Sequence, residues 1–487
     1  MQPLKKRTLR GILWNGVQRF GTLAVSLAAN LVLVRMLTPE DFGCIGILLV
    51  FVAVSQTLID GGFTAALIQK KEVSQTDYST VFYWNLILSV LLIGALALVS
   101  PLVAAFYRID ALNDILRAQS VVLLINSFCI VQTAQLIKKL EFKVLAIRSV
   151  AAAMIGAIVA ILLAYRGWGV WSLVVKELVA SSVGAVLLWS FCKWHPSPIF
   201  SWRSFRGMFR FGSMIFVSDV INTLYQNMQA LIIGRAFSVQ ELGYYSQARK
   251  LEEVPVNGGT TVLTQVLFPV YSSIADQYER LKSLVRKNVV LITYLSFSIM
   301  FLLIVIARPL LLVLFTDKWA PAIPLFQILC FEGVFYPLNC ANALLFKSLG
   351  NGKVYFILQS VKRLISLLMI LYSVRFGLYG MMWAIAAMGI LSYVINLVFT
   401  HRIFGYRVRE QLSDILPNLL LSVVVATTTW GILRLLDFGD HLVHIVTGSL
   451  LFGFLFMALS RVFGMKGPIL GITAQLCLRP SPNLLPH

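Results

Sequence analysis

Charged side chains interrupt several apolar stretches of this sequence, and they are its strongest candidates for chemistry. Arg19, Asp60 and Asp219 each lie inside a run long enough to be a membrane span. A charge at the centre of a bilayer costs on the order of 3 kcal/mol, so such residues mark binding sites or ion paths. The full set of charged candidates, with their amide neighbours, is Arg19 with Asn15, Asp60, Lys176 with Glu177, Asp219 with Asn222 and Gln226, Arg249 with Lys250, Glu252 and Glu253, Glu332, and Lys362 with Arg363.

The spacing of these residues places several of them on common helix faces. Asn15, Arg19, Thr22 and Ser26 are three or four residues apart, which puts them on one stripe of a helix. We expect this stripe to line a water-filled cavity, because a polar face inside an apolar span has no favourable contact with lipid. Equivalent stripes containing Asp60 and Asp219 carry the same expectation.

Other charged groups have two interpretations that the residues alone leave open. Lys176 and Glu177 are as consistent with a structural ion pair as with a binding site. Lys362 and Arg363 either line a cavity or extend to the inner surface through their long aliphatic stems. Arg249 and its neighbours lie either in a cavity or at a solvated helix end.

No pattern of catalytic or metal-ligating residues accompanies these charges. The histidines have no ligand spacing, and the six cysteines have neither paired nor metal-type spacing. A phosphate-binding loop of the Gly-Lys-Ser/Thr type is also missing from the sequence. The sequence therefore predicts no catalytic residue, metal or cofactor, and any energy for transport comes from a gradient or from the substrate.

The composition indicates a membrane protein. Charged residues make up 13% of the chain and hydrophobic residues 58%, whereas soluble domains carry roughly 25% charged residues. The net charge of +20 does not indicate nucleic acid, because the basic residues form short clusters between apolar runs. Such clusters are typical of loops that face an anionic membrane surface.

The apolar runs predict an all-α polytopic membrane protein with 14 transmembrane helices. The predicted spans are Gly11–Val34, Phe42–Ile68, Val81–Val103, Leu112–Leu136, Leu145–Tyr165, Val170–Cys192, Phe209–Ala236, Leu242–Ile274, Val289–Phe315, Ile323–Leu349, Val354–Val374, Tyr379–Phe399, Leu412–Leu436 and His441–Phe463. Basic residues favour one set of alternate loops by about three to one, which predicts that both termini are cytoplasmic.

A motif recurs after 200 residues with no gap. The stretch from Arg35 to Gly43 aligns with the stretch from Arg235 to Gly243, and the flanking polar residues Thr57, Asp60 and Thr64 align with Asn257, Thr260 and Thr264. Six predicted spans separate the copies, so both copies face the same side and the halves are parallel repeats. We predict two six-helix bundles, residues 1–200 and 201–405, followed by two extra helices and a cytoplasmic tail in 406–487.

Several of these segments resemble a known family of transporters. Leu37-Thr-Pro-Glu-Asp-Phe-Gly-Cys-Ile-Gly and Asp60-Gly-Gly-Phe-Thr-Ala-Ala-Leu-Ile-Gln-Lys are similar to the polysaccharide-transporter branch of the multidrug/oligosaccharidyl-lipid/polysaccharide (MOP) flippases. The segments that begin at Tyr244 and Gln265 resemble the eighth span of that family. The likeness covers about residues 5–460 and is greatest to the Wzx type, including its colanic-acid subgroup.

The resemblance implies a flippase for undecaprenyl-pyrophosphate-linked oligosaccharide repeat units in the bacterial inner membrane, working by alternating access in capsule, exopolysaccharide or lipopolysaccharide O-antigen synthesis. It implies a cationic central cavity between two bundles, with basic residues on spans 1, 8 and 11. The matching residues are Arg19, Arg249, Lys250, Lys362 and Arg363. Asp60 and Asp219 then either pair with these cations or carry a coupling ion. The expected partners are the lipid-linked glycan, membrane lipids and the polysaccharide polymerase machinery, with no nucleic acid.

Three alternative functions come from other classes. A cation-coupled multidrug exporter of the same superfamily depends more on carboxylates such as Asp60, Asp219 and Glu252. A flippase for lipid-linked peptidoglycan precursors is distinguished by whether the gene is essential for wall growth. A membrane glycosyltransferase normally has acidic motifs in large external loops, which this sequence lacks, so we expect no enzyme.

Overall fold

The computed structural model consists of helices joined by turns and short loops over the residues that it describes. These are 2–350, 352–436 and 439–463, and their side chains are described except at 2–9, 12, 257–266 and 353. The predicted cytoplasmic tail beyond residue 463 lies outside the described residues. So do the side chains of Asn257, Thr260 and Thr264, the second copies of Thr57, Asp60 and Thr64.

The chain divides into two compact units, Met1–Ser246 and Gln247–His487. The first unit contains α1 (Gln2–Met36), α2 (Pro39–Asp60), α3 (Phe63–Gln69), α4 (Gln75–Tyr107), α5 (Ala111–Ser127), α6 (Ile130–Lys138), α7 (Phe142–Tyr165), α8 (Val170–Phe191), α9 (Trp202–Ala236) and the start of α10 (Val239–Ser273). The second unit contains the rest of α10, then α11 (Tyr278–Phe315), α12 (Ala322–Ser348), α13 (Gly352–Ser373), α14 (Gly377–Phe404), α15 (Val408–Leu435) and α16 (His441–Val462).

Every predicted span lies largely in helix, although the second is divided between α2 and α3 and the fourth between α5 and α6. Over the described residues, 10 helical stretches are long and apolar enough to cross a membrane, or up to 11 if α5 and α6, bent by 41°, form one broken span. One of the 10 stretches, Val354–Phe404, runs through both α13 and α14. The prediction of a helical polytopic membrane protein is confirmed, while the number 14 and the boundaries of the two six-helix bundles stay predictions.

The recurring motif has the same local structure in both copies. Before α2, the backbone N–H of Thr38 donates to Asp41 Oδ2 at 2.9 Å, and Asp41 N–H donates to Thr38 Oγ1 at 3.3 Å. Before α10, Ser238 N–H donates to Glu241 Oε2 at 3.0 Å, and Glu241 N–H donates to Ser238 Oγ at 3.1 Å. Both are capping boxes, which satisfy N–H groups that a helix start leaves unpaired. The helix ends therefore recur at the offset that the sequence shows.

Aromatic and aliphatic side chains pack the interior of each unit. In the first unit, Phe63 of α3, Phe82 of α4 and Phe205 of α9 are all buried in one cluster. In the second unit, Val425 of α15 and Phe456 of α16 are buried in a cluster with residues of α11. The last two helices thus pack against α11 through an apolar core.

Candidate functional site

The polar stripe of α1 is exposed at one end and half-buried at the other. Asn15 and Arg19 are exposed one helical turn apart, while Thr22 and Ser26 are half-buried. The hydroxyl of Thr22 donates to the backbone oxygen of Gln18 in the same helix. The structure therefore brings Asn15 and Arg19 to a common accessible face and turns the rest of the stripe toward neighbouring helices.

Asp60 and Asp219, predicted in equivalent stripes, approach each other in the first unit. Asp60 ends α2, and its carboxylate accepts a hydrogen bond from the hydroxyl of Thr64. It interacts electrostatically with Asp219 of α9, and one turn away in each helix the hydroxyls of Thr57 and Thr223 are 3.0 Å apart. Neither carboxylate forms an ion pair with a described side chain.

The remaining candidates on α9 follow Asp219 along one face. Asn222 is half-buried and Gln226 is exposed, as Asp219 is. The spacing of three and four residues keeps the three side chains on one stripe. Position 219 corresponds to position 19 in the repeat. The stripe of Asp219 on α9 is therefore the counterpart of the stripe of Arg19 on α1.

Arg249 lies among three carboxylates in the second unit. Its Nη1 is 2.6 Å from Glu332 Oε2 and 3.6 Å from Glu252 Oε2, and its Nε is 3.3 Å from Glu253 Oε1. Glu252 and Glu253 follow Arg249 at i+3 and i+4, where helix geometry brings side chains together, and Glu332 comes from α12. The Glu252 side chain is only 2% exposed. Arg249 is therefore engaged by protein carboxylates rather than presented alone to a ligand.

Lys362 is buried on α13 and lies in a chain of amides. Its Nζ donates to Asn396 Oδ1 at 2.6 Å, and Asn396 Nδ2 donates to Asn339 Oδ1 at 2.8 Å. No described carboxylate forms an ion pair with this ammonium group. Lys362 therefore lies buried between α12, α13 and α14 and does not extend to the membrane surface. Arg363, which follows Lys362 on α13, is half-buried. Lys250, which follows Arg249 on α10, is also half-buried.

A cavity between α1, α5, α7 and α8 contains a charged residue, Arg148, that is not among the candidates predicted from the sequence. This N-terminal cavity is lined by Ser26, Asn126, Arg148, Ser149, Ala152, Ala153, Ala157, Lys176, Glu177, Ala180, Ser181 and Gly184. Arg148 falls within the predicted span Leu145–Tyr165 and lies on the second turn of α7. The signal that identifies it is the row of small residues at four-residue spacing, Ala152, Gly156 and Ala160, which continues the helix face of Arg148.

Comparison with known families identifies a match over most of the chain. The model of the family described as "Polysaccharide biosynthesis protein" matches residues 32–324. The chain is 23% identical over 439 residues to the teichuronic acid biosynthesis protein TuaB of Bacillus subtilis, covering 89% of this chain and 90% of that protein. It is 27% identical over 354 residues to the succinoglycan biosynthesis transport protein ExoT of Rhizobium meliloti, covering 72% of this chain and 71% of that protein.

Solved structures share the fold. The lipid II flippase MurJ in an inward closed conformation superposes with a TM-score of 0.74 at 16% identity, covering 93% of this chain and 99% of that chain. At this identity the likeness concerns the course of the helices alone. It confirms the helical membrane architecture independently of sequence similarity.

Proposed function

The chain belongs to the polysaccharide biosynthesis protein family, and we propose that it is a flippase for lipid-linked oligosaccharides. Its substrate is an undecaprenyl-pyrophosphate-linked repeat unit, which it moves across the bacterial cytoplasmic membrane for capsule, exopolysaccharide or O-antigen synthesis. It works by alternating access, with both termini in the cytoplasm. The protein makes and breaks no covalent bond of this substrate, and its relatives TuaB and ExoT are named for polysaccharide synthesis or transport.

One observation carries this proposal: both copies of the repeat expose a polar stripe at the same place. Asn15 and Arg19 are exposed on α1, and Asp219 and Gln226 are exposed on α9, at corresponding places of the two repeats. Exposed polar groups at membrane depth are costly unless they face water or a polar ligand. Matching stripes in two repeats support a polar path formed by both, through which a hydrophilic head group passes.

The chemistry of the stripes suits the head group of this substrate. Sugar hydroxyls cannot enter hydrocarbon without losing their hydrogen bonds to water, and Asn15, Asn222 and Gln226 can replace some of those bonds. Arg19 can form charge-assisted hydrogen bonds to pyrophosphate oxygens. In the second unit, Lys250, Lys362 and Arg363 are further cations that can contact anionic groups of the substrate, and the polyprenyl tail remains in lipid throughout.

The membrane potential can assist export without a nucleotide site. Moving negative charge outward is favourable when the cell interior is negative, by about 2.3 kcal/mol per charge per 100 mV. Asp60 and Asp219, which interact electrostatically, are the candidates for carrying a coupling ion. A polysaccharide polymerase would take the repeat unit on the outer side.

A cation-coupled multidrug exporter is the second candidate, and the cluster around Arg249 favours it. Glu252, Glu253 and Glu332 outnumber the single guanidinium they surround, and excess carboxylates suit a cationic drug or a coupling cation. Under that function, deleting the gene raises drug sensitivity and leaves surface polysaccharide unchanged. Under the flippase function, deleting the gene reduces surface polysaccharide and leaves drug sensitivity unchanged.

The flippase function is tested by locating the lipid-linked repeat unit in the membrane. In spheroplasts of a deletion strain, the repeat unit should be protected from an externally added glycosidase, and the wild-type gene should restore cleavage. Arg19→Ala should reproduce the deletion, whereas Arg166→Ala, at an exposed arginine just after α7, should restore cleavage fully. If the Arg19→Ala protein is present at the wild-type level and the cells make normal amounts of polymer, Arg19 has no part in the mechanism.

A further inference from the structure

The N-terminal cavity combines a modest volume with charged and polar lining residues. It has a volume of about 300 Å³, which is at the lower end for small-molecule sites. Three of its lining residues are charged, Arg148, Lys176 and Glu177, and the serine hydroxyls and the amide of Asn126 are polar. A space of this size holds one sugar ring and its substituents, not a whole repeat unit or a polyprenyl chain.

Small residues bring α7 and α8 together around this space. A Cβ atom on Gly156 would lie 2.9 Å from the backbone oxygen of Lys176, so the two helices touch there. A Cβ atom on Gly184 would lie 3.3 Å from Nε of Arg148, so the absence of a side chain makes room for the guanidinium. The packing thus fixes Arg148 and Lys176 on facing helices.

The charges of the N-terminal cavity are not balanced by the protein. Arg148 Nη1 donates to the neutral hydroxyl of Thr133 at 3.2 Å, and no described carboxylate forms an ion pair with Arg148. Lys176 Nζ is 3.5 Å from Glu177 Oε1. One positive charge therefore remains among the lining side chains, and an anionic ligand can satisfy it with charge-assisted hydrogen bonds.

We propose that the N-terminal cavity binds the carboxylate of an acidic sugar, so that the exported glycan contains uronic-acid-type residues. This inference rests on the proposed flippase function and specifies its substrate. The forked guanidinium of Arg148 matches a carboxylate in two parallel hydrogen bonds, and Lys176 supplies a second charge. Ser26, Ser149 and Asn126 lie where they can bond the ring hydroxyls, and Glu177 can accept from one of them.

Binding is tested on the full-length protein in lipid nanodiscs, with single small molecules as probes. A ligand that binds only the folded protein raises its melting temperature in a concentration-dependent way. Glucuronate should raise the melting temperature saturably, while glucose at the same concentrations should not. Stabilisation by inorganic phosphate but not by glucuronate, or equal stabilisation by glucose, would overturn the inference.

Variants on the two facing helices assign the effect to the N-terminal cavity. Arg148→Gln and Lys176→Gln should each weaken the glucuronate response at least tenfold, and Arg166→Gln should leave it unchanged. If Arg148→Gln does not fold, Lys176→Gln from α8 makes the same test. An unchanged glucuronate response in the folded variants would refute the site.

A parallel export measurement separates this inference from the proposed function. If the wild-type protein exposes the lipid-linked glycan but glucuronate does not bind, the acidic-sugar site is wrong and the flippase function stands. If glucuronate binds in the N-terminal cavity but the deletion strain still exports the glycan, the proposed function is wrong, and so is the inference that rests on it.

Discussion

Gly43 and Gly243 lie 200 residues apart, and each contacts the backbone that begins the other's helix. A Cβ atom on Gly43 would overlap the carbonyl oxygen of Val239, the first residue of α10. A Cβ atom on Gly243 would overlap the carbonyl oxygen of Pro39, the first residue of α2. The two copies of the motif therefore cross each other reciprocally within the first unit, at a distance that only glycine permits.

This crossing predicts that Gly43→Ala and Gly243→Ala each destabilise the protein by about 1–3 kcal/mol, the usual effect of overpacking. The neighbouring Gly46 is the matched control, since its Cβ would lie 3.4 to 3.8 Å from the flexible Leu242 side chain. Thermal unfolding of the purified protein, followed by tryptophan fluorescence, measures the difference. Equal melting temperatures for Gly43→Ala and Gly46→Ala would mean that the backbones do not touch at Gly43.

Lys362 allows a test that separates stability from transport. Lys362→Met removes a buried charge, and exchanging such a charge for an apolar side chain of similar length is often neutral or stabilising. We therefore expect an unchanged or higher melting temperature together with reduced glycan export. In contrast, Asn396→Leu leaves the ammonium group and Asn339 without their partner and should cost about 1–3 kcal/mol. A larger loss of stability for Lys362→Met than for Asn396→Leu would contradict this interpretation.

The helices were predictable because each one needs only local information. A run of about 20 apolar residues identifies a span, and Thr38 with Asp41 identifies a helix start by the pattern of a capping box. The recurrence at Ser238 and Glu241 follows from simple alignment of the chain with itself. These features depend on neighbours within a few residues, so one sequence is enough to find them.

The partners of the buried charges depend on residues far apart in the chain. Arg249 meets Glu332 at a separation of 83 residues, and the sequence alone does not indicate which carboxylate it meets. Arg148 lies within the predicted span Leu145–Tyr165, close to the basic residues Lys138, Lys139 and Lys143, and nothing in the sequence singles it out as lining a cavity. The environment of Arg148 depends on how α7 packs against α8. This packing cannot be read from the pattern of charges in the sequence.

An ion pair between Arg286 and Asp414 joins α11 to α15 near the starts of both helices. Arg286 Nε and Nη2 lie 2.7 and 2.8 Å from the two carboxylate oxygens of Asp414, and the hydroxyl of Tyr406 donates to Asp414 Oδ2 at 2.5 Å. Burial raises the pKa of Tyr406, with its bond to Asp414 adding to the effect, so this hydroxyl remains a donor at neutral pH.

Arg286→Lys should therefore lower stability by about 1 kcal/mol, because an ammonium group cannot reproduce the two parallel bonds and the site is partly solvated. Lys287→Ala, at an exposed neighbour, should leave the melting temperature unchanged. Combining Arg286→Lys with Asp414→Asn in a double-mutant cycle isolates the coupling of the pair. Additive effects in that cycle would show that the pair does not hold α15 against α11.

Arg249 provides the last test, because its surroundings distinguish a structural cation from a ligand-binding one. Arg249→Ala leaves Glu252 and Glu332 without their counter-charge, and breaking a buried ion pair in this way costs about 3–5 kcal/mol. The added change Glu332→Gln removes one of the orphaned charges and should restore part of the melting temperature. Arg19→Ala, at an exposed arginine, should alter export without this loss of stability. If Arg249→Ala instead melts at the wild-type temperature and export falls, the guanidinium serves the pyrophosphate of the substrate rather than the three carboxylates around it.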